Sequence, residues 1–268
     1  MFESKMVCKI RGIIFDIYNH VVGAWAEEKY EEILFDALAA AGLQVERQPE
    51  FSVIYKEHQV GLFRPDLIVE KKIILELKVV PEIFPLHQAQ TISYLKVTGL
   101  PLAMLVNFGG KKIFLQTYPN KLQQIKTLNT NFDIDKIKLN EEDKKLVKPF
   151  LEMSQEILET LGLGYFHQVY RRAFWDELKR NNIDFEWINK LELKYGEKVY
   201  DTKDVRFFRI EKLLISIVAV KALDKLTIAK FSKFIKYYNC KKGLIIDFNS
   251  TVVDFDLTTG IHDLQEFL

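Results

Sequence analysis

The apolar positions along this chain change period several times, and each change marks an element. Over residues 9–22 and 26–41 they recur at helical spacing, and Gly42 follows as a C-terminal cap. Residues 51–56 alternate as a strand does, and 66–70 with 73–80 read as the two arms of a hairpin. Helical spacing returns over 86–98 and stops at Gly99. A buried strand is expected at 102–108, and Asn107-Phe-Gly-Gly-Lys111 turns the chain into another at 112–117. Helix, three strands, helix, strand: the pattern predicts a small α/β unit.

The same pattern then recurs 140 positions later without a gap. The segment Ala24-Trp-Ala-Glu-Glu-Lys-Tyr30 falls on Gly164-Tyr-Phe-His-Gln-Val-Tyr170. Phe35 and Leu38 fall on Trp175 and Leu178 at helical spacing, and Phe51, Val53 and Tyr55 on Leu191, Leu193 and Tyr195 at strand spacing. Ile73-Ile-Leu75 falls on Leu213-Leu-Ile215, and Leu105-Val-Asn-Phe108 on Ile245-Ile-Asp-Phe248. Few letters are identical, so matched periodicity carries the duplication. Residues 119–147 between the copies are polar and rich in Asn, Lys and Asp, as a linker would be.

Composition narrows the function classes. Of the 268 residues, 48% are hydrophobic and 28% charged, which excludes general disorder. Lys plus Arg (38) nearly cancels Asp plus Glu (37), so a globally basic polyanion binder is excluded while a local basic patch is not. Cys8 and Cys240 are too few and too far apart for a disulfide scaffold or a CxxC metal knuckle. No stretch reaches the roughly 18 apolar residues of a membrane span, so the expected setting is cytoplasmic, away from membranes. Nucleotide-binding GxxxxGK[ST] and hydrolase GxSxG or HExxH motifs are missing, and nothing points to an organic cofactor.

The informative stretch is Arg64-Pro65-Asp66-Leu-Ile-Val-Glu-Lys-Lys-Ile-Ile-Leu-Glu76-Leu77-Lys78. Alternation on a strand puts Glu76 and Lys78 on one face, with Leu75 and Leu77 turned to the core. If the hairpin turns near Lys71, Asp66 lies opposite Glu76, at a Cβ separation of roughly 4.5–5.5 Å. Two carboxylates that close repel unless a cation lies between them, and hard oxygen donors suit Mg²⁺ or Mn²⁺. A lysine two residues on can orient a metal-bound water or balance charge on a pentavalent phosphate.

Further motifs agree in order and spacing: Glu27 and Tyr30, Pro65-Asp66, Glu76-x-Lys78, then His87-Gln-Ala-Gln90-Thr-Ile-Ser-Tyr94-Leu-Lys-Val-Thr-Gly99, and the strand ending Val106-Asn-Phe108. Over residues 10–118 the chain resembles the GxxExxY proteins, a branch of the PD-(D/E)XK nuclease superfamily with motifs of the RecB and phage-exonuclease type. It departs at position 24, where the family's glycine is Ala24. The resemblance implies metal-dependent phosphodiester hydrolysis in DNA or, second, RNA. Asp66, Glu76 and the Leu77 carbonyl would then bind Mg²⁺ or Mn²⁺, with Glu27 as a further or water-mediated ligand and Lys78 positioning the water. Gln90 and Tyr94, one helical turn apart, would bind the phosphate or backbone, with Tyr30 near the metal ligands. His87 would contact phosphate or cap its helix. His20, His58 and His262 form no ligand spacing and are expected on the surface or in loops.

In the second copy Glu27 becomes His167, Asp66 becomes Arg206, Glu76 becomes Ser216, Lys78 becomes Val218, Gln90 becomes Lys230 and Tyr94 becomes Phe234. A duplicate that keeps the scaffold and loses the ligands is expected. Lysines between Lys221 and Lys242, interleaved with Phe231, Phe234, Tyr237 and Tyr238, could form a phosphate-tracking face with stacking rings. The copy could also replace a homodimer partner, giving a monomer with pseudo-two-fold symmetry.

The expectation is therefore two tandem restriction-endonuclease-like α/β units, each a mixed central sheet flanked by helices. Residues 1–118 hold the intact motif, 119–147 connect, and 148–268 are degenerate. The alternative is a non-catalytic nucleic-acid-binding or scaffold protein built on two such folds.

Overall fold

The computed structural model describes residues 2–23, 25–121, 138–220, 223, 225–249 and 253–259. Ala24, residues 122–137 of the connection, Lys221 and His262 lie outside the described residues. The rest form two compact units, one built mainly from the chain up to Lys121 and the other mainly from Lys138 onward. Residues 54–60 belong to the second unit and Gly164–Phe166 to the first.

In the first unit, α1 (Phe2–His20) and α2 (Glu27–Ala40) precede β1 (Val45–Arg47), and β4 (Leu67–Val69) and β5 (Ile73–Lys78) follow the hairpin of β2 (Phe51–Tyr55) and β3 (His58–Phe63), whose residues 54–60 belong to the second unit. A crossover helix α3 (Pro85–Thr98) leads to β6 (Leu102–Asn107) and β7 (Phe114–Pro119). The sheet has the order β1-β4-β5-β6-β7, with β5 and β6 parallel and the other neighbours antiparallel. Glu27 and Glu28 in the first turn of α2 suit the positive end of the helix dipole, and the helix gives way to Gly42 at φ 78°. Pro85 starts α3 where an N–H has no helical partner to lose, and left-handed Gly99 ends it.

All six residues of β5 are buried because helices cover both faces of the sheet. Leu75 and Leu77 pack with Leu34 and Leu38 of α2 and Ile10 and Ile14 of α1. Ile74, one residue out of phase, packs on Tyr94 and Leu95 of α3. Glu76 and Lys78 share the phase of Ile74, so they point to the α3 side.

The first helix starts at Phe2 rather than at residue 9, and the last strand runs two residues later than the pattern indicated. Strands β1 and β3 carry no alternating signal: β1 is three residues long, and His-Gln-Val-Gly-Leu-Phe mixes polar and apolar positions irregularly.

The second unit repeats the order: α4 (Glu141–Leu161), α5 (His167–Arg180), β8 (Glu186–Tyr195), β9 (Lys198–Ile210), β10 (Leu213–Val218), α6 (Lys225–Tyr237), β11 (Lys242–Asp247) and β12 (Asp254–Thr259), with sheet order β12-β11-β10-β9-β8. Helix α5 and strands β10, β11 and β12 begin and end 140 residues after α2, β5, β6 and β7. The copies differ where proline stops a ladder. Pro49 and Pro65, which have no N–H to pair, separate β1 from β2 and β3 from β4 in the first. Asn189 and Val205 stand at those positions in the second, and there the strands run through as β8 and β9, with a register shift between Ile188 and Lys190 and another between Leu193 and Lys194. No described helix is long and apolar enough to cross a membrane.

Candidate active site

The site of the first unit is built by a tight turn and a broken ladder. Glu70 and Lys71 both adopt left-handed conformations, at φ 53° and 52°, and close the turn from β4 to β5. The resulting register pairs Leu67 with Leu75, Ile68 with Ile74 and Val69 with Ile73, as a turn at Lys71 predicts. One step further, Asp66 falls in line with Glu76. Pro65 keeps the ladder from continuing, and the Leu77 N–H, past the last paired residues, donates to Asp66 Oδ2 at 2.6 Å.

Lys78 occupies the centre. Its ammonium donates to Glu76 Oε1 at 2.6 Å, to the Leu77 carbonyl at 2.7 Å and to Glu27 Oε1 at 3.5 Å. Glu27 arrives from the first turn of α2, with its side chain 37% exposed, whereas that of Glu76 is 1% exposed. Glu76 Oε2 is buried with no hydrogen-bond partner. Burial raises the Asp66 carboxyl to about 6, against the Leu77 hydrogen bond and the Lys78 charge. Burial, then the charge of Asp66, raises Glu76 to about 8, with Lys78 opposing. Burial also works against a charged Lys78, but the charge and hydrogen bond of Glu76, with Asp66 and Glu27, more than offset it and hold its pKa above the ordinary lysine value.

These groups fit a hard divalent cation on their own chemistry. The donors are all oxygens, one of them is buried and orphaned, and a positive charge already sits against three of them. Among the described residues no three His, Cys, Asp or Glu side chains converge on one point as a ready cation site. Glu27 reaches this cluster through Lys78.

The other expected residues divide. Gln90 Nε2 donates to the Tyr94 hydroxyl at 2.9 Å, and that hydroxyl donates to the Arg64 carbonyl at 3.1 Å. The pair is thus one hydrogen-bonded unit of α3 anchored two residues before Asp66. His87 turns to its own helix: its Nδ1 accepts from the Phe84 N–H at 3.2 Å, the capping arrangement. Burial and the Lys78 charge hold its pKa below the ordinary histidine value.

Tyr30 is not turned toward the acids. Its hydroxyl donates to the Gly23 carbonyl at 2.9 Å, and its ring stacks on Phe108 with centroids 4.5 Å apart. Tyr170, its counterpart, does the same with Gly162 at 2.8 Å and Phe248 at 4.5 Å. The same contacts are kept in the copy without the acids, so they do not depend on them.

One residue escaped the sequence reading. Glu31 is buried and accepts from Arg47 Nε at 2.5 Å and from Gln48 Nε2 at 2.9 Å. The backbone N–H of Gln48 in turn donates to the Asp66 carbonyl at 2.9 Å, so Glu31 helps to hold the strand entry that aims Asp66. Its position one turn after Glu27 on α2 was the available signal.

Of the four rings expected to form a stacking face, Tyr237 is exposed and the other three turn inward. Phe231 is buried, and Phe231, Phe234 and Tyr238 all pack on Phe207 in the core of the second unit.

Comparisons with known proteins bear on both units. A sequence model described as the PD-(D/E)XK nuclease superfamily matches twice, over residues 4–117 and 144–257. No curated protein matches the chain. A solved structure, the crystal structure of SSO0001, aligns at 15% identity over 50% of this chain, with a TM-score of 0.29. The chain spans 64% of the length of that structure.

Proposed function

This chain belongs to the PD-(D/E)XK nuclease superfamily, whose fold it carries twice, and from that premise we propose that it is a metal-dependent nuclease with one active site, in its first copy. The observation that carries the proposal is the convergence of Asp66, Glu76 and Lys78 from adjoining strands, against Arg206, Ser216 and Val218 at the same positions of the second copy. Residues 1–118 are the nuclease unit in this reading; the connection is shorter than the expected 119–147, because α4, which begins at Glu141 and buries Val147, already belongs to the degenerate repeat. Assignment to the GxxExxY branch belongs to the same proposal and rests on Glu27 and Tyr30 at their motif spacing.

Asp66, Glu76 and the Leu77 carbonyl would hold Mg²⁺ or Mn²⁺, with Glu27 at the outer side. When bound, the ion supplies charge stabilisation at the phosphate and a water of lowered pKa. Lys78 orients the attacking water and offsets charge on the pentavalent phosphorus. Gln90, tied to Tyr94, presents an amide toward the backbone of the substrate, which is DNA or, as the second choice, RNA. The unpaired Cys8 and Cys240 accord with a cytoplasmic setting.

The test incubates the purified chain with labelled single- and double-stranded DNA and RNA in Mg²⁺, in Mn²⁺ or in EDTA. Products formed with either metal and absent in EDTA support the proposal. Retention of DNA in EDTA with no product in either metal would favour the non-catalytic binding protein instead.

A further inference from the structure

The second copy has not simply lost its acids; at two of their positions it carries arginine. Shifted by 140 positions, Glu27, Glu31 and Asp66 become His167, Arg171 and Arg206. Arg171, Arg206 and the neighbouring Arg172 line a cavity of about 560 Å³, together with Gln168, Trp175 and Trp187. This volume lies in the range of small-molecule sites.

The positive charge here is poorly balanced. Among the described residues neither Arg171 nor Arg172 has a carboxylate partner; Arg171 Nη2 reaches only the Ile217 carbonyl at 3.3 Å, and Arg172 Nη1 the Val60 carbonyl at 3.3 Å. Arg171 Nε is buried with no hydrogen-bond partner. Arg206 has Asp204 at 3.3 Å, but that carboxylate is 72% exposed and its charge is screened by water. Asp176, the one acid of the wall, is held by Arg180 at 2.7 Å and by His58. Burial, then the charge of Arg206, brings the Arg171 pKa down to about 10, and burial with both arginines brings His167 down to about 4. Guanidinium groups left in this state match a phosphate, which accepts paired N–H bonds and removes their repulsion. Trp175, 37% exposed, meets Trp187 edge-on at 5.5 Å, and the two offer ring surface beside the arginines.

We propose that this cavity is a binding site for a phosphate-bearing nucleotide unit, its phosphate on Arg171 and Arg206 and its base against Trp175 and Trp187. The site needs no divalent cation. It would act as a second, non-hydrolytic foothold on the same chain, and it stands whether or not the first copy cleaves.

The experiment is tryptophan-fluorescence titration in EDTA, in a Trp25→Phe background so that Trp175 and Trp187 supply the signal. The probes are inorganic phosphate, dTMP, thymidine and a 5′-phosphorylated oligothymidylate. Quenching by the oligonucleotide or dTMP, absent with thymidine, and weakened more than about tenfold in Arg206→Glu and Arg171→Gln, is the expected result. Equal affinity for dTMP and the strand assigns the site to free nucleotides, and stronger binding of the strand assigns it to nucleic acid; either outcome keeps the phosphate on the arginines. Arg206 is a partly exposed residue, so its variant tests the idea even if Arg171→Gln fails to fold. No quenching by any phosphate probe, or unchanged affinity in folded Arg206→Glu, would overturn it.

Discussion

The ammonium of Lys78 lies 2.6 Å from Glu76 Oε1, a carboxylate two residues earlier on the same buried strand. It also donates to the Leu77 carbonyl at 2.7 Å. The lysine thus acts as an internal counter-ion on the oxygens proposed to hold the metal. Without a cation at this point the buried Glu76 and the half-buried Asp66 would face each other unscreened.

Lys78→Met separates the roles of this residue. Removing the ammonium removes a competitor for Glu76 and Leu77 and leaves the acids to repel, so Mn²⁺ should bind as tightly as to wild type or tighter. Cleavage should fall by about a hundredfold to a thousandfold, because the group that orients water is gone. Calorimetric titration with Mn²⁺ alongside a cleavage rate checks both. Loss of metal binding in parallel with cleavage would contradict this division.

The raised carboxyl pKa values set a pH dependence. With Asp66 at about 6 and Glu76 at about 8 in the metal-free fold, both lie above the values of an unfolded chain. The folded state therefore holds protons here that the unfolded state releases, and stability from this source is full below the ordinary carboxyl range near pH 4 and is lost as pH rises from there through 6 and 8. A cation replaces those protons, so its affinity rises over the same window. The shift in melting temperature caused by Mn²⁺ should be larger at pH 8.5 than at pH 6, measured by differential scanning fluorimetry. A shift that is equal at both values would count against the buried-acid account.

Tyr30→Phe and Tyr170→Phe should behave alike. Each removes one hydroxyl bond to a glycine carbonyl and keeps the ring stack, at a cost of about 1 kcal/mol in chemical denaturation. Cleavage by Tyr30→Phe should stay within about twofold of wild type at a temperature where both are folded. A large loss of activity without a loss of stability would return Tyr30 to the site.

Gly243→Ala should destabilise the second unit. A Cβ there would lie 2.6 Å from the Phe231 ring and 2.4 Å from Ile235. The first copy has Ala103 at this position, packed with Leu95 of α3, and Thr91 where the second copy has the larger Phe231. Forcing the extra carbon under α6 should cost about 1–3 kcal/mol, read from denaturant midpoints.

The parts of the site that were legible in the sequence obey short-range rules. A period of two on β5 and a tight turn at Lys71 fix the register, and with it the pairing of Asp66 and Glu76. The duplication was legible because burial preserves periodicity even where letters diverge. Glu31 was not, since its partners Arg47 and Gln48 come from another element, 16 and 17 residues away. The aromatic run of α6 misled for a related reason: Phe231 and Phe234 read the same whether they face solvent or Phe207, and their packing on Phe207 depends on a strand distant in sequence. The inverted charges at Arg171 and Arg206 were visible as letters, but their common cavity was not.

The most direct measurement is the rate of Mg²⁺-dependent DNA cleavage by folded Asp66→Ala protein beside wild type, with Arg206→Ala as the matching change in the second copy. The account predicts no product from Asp66→Ala and full hydrolysis by Arg206→Ala on a substrate present well above its binding constant. Wild-type rates from Asp66→Ala would show that the chemistry, if any, lies elsewhere in the chain.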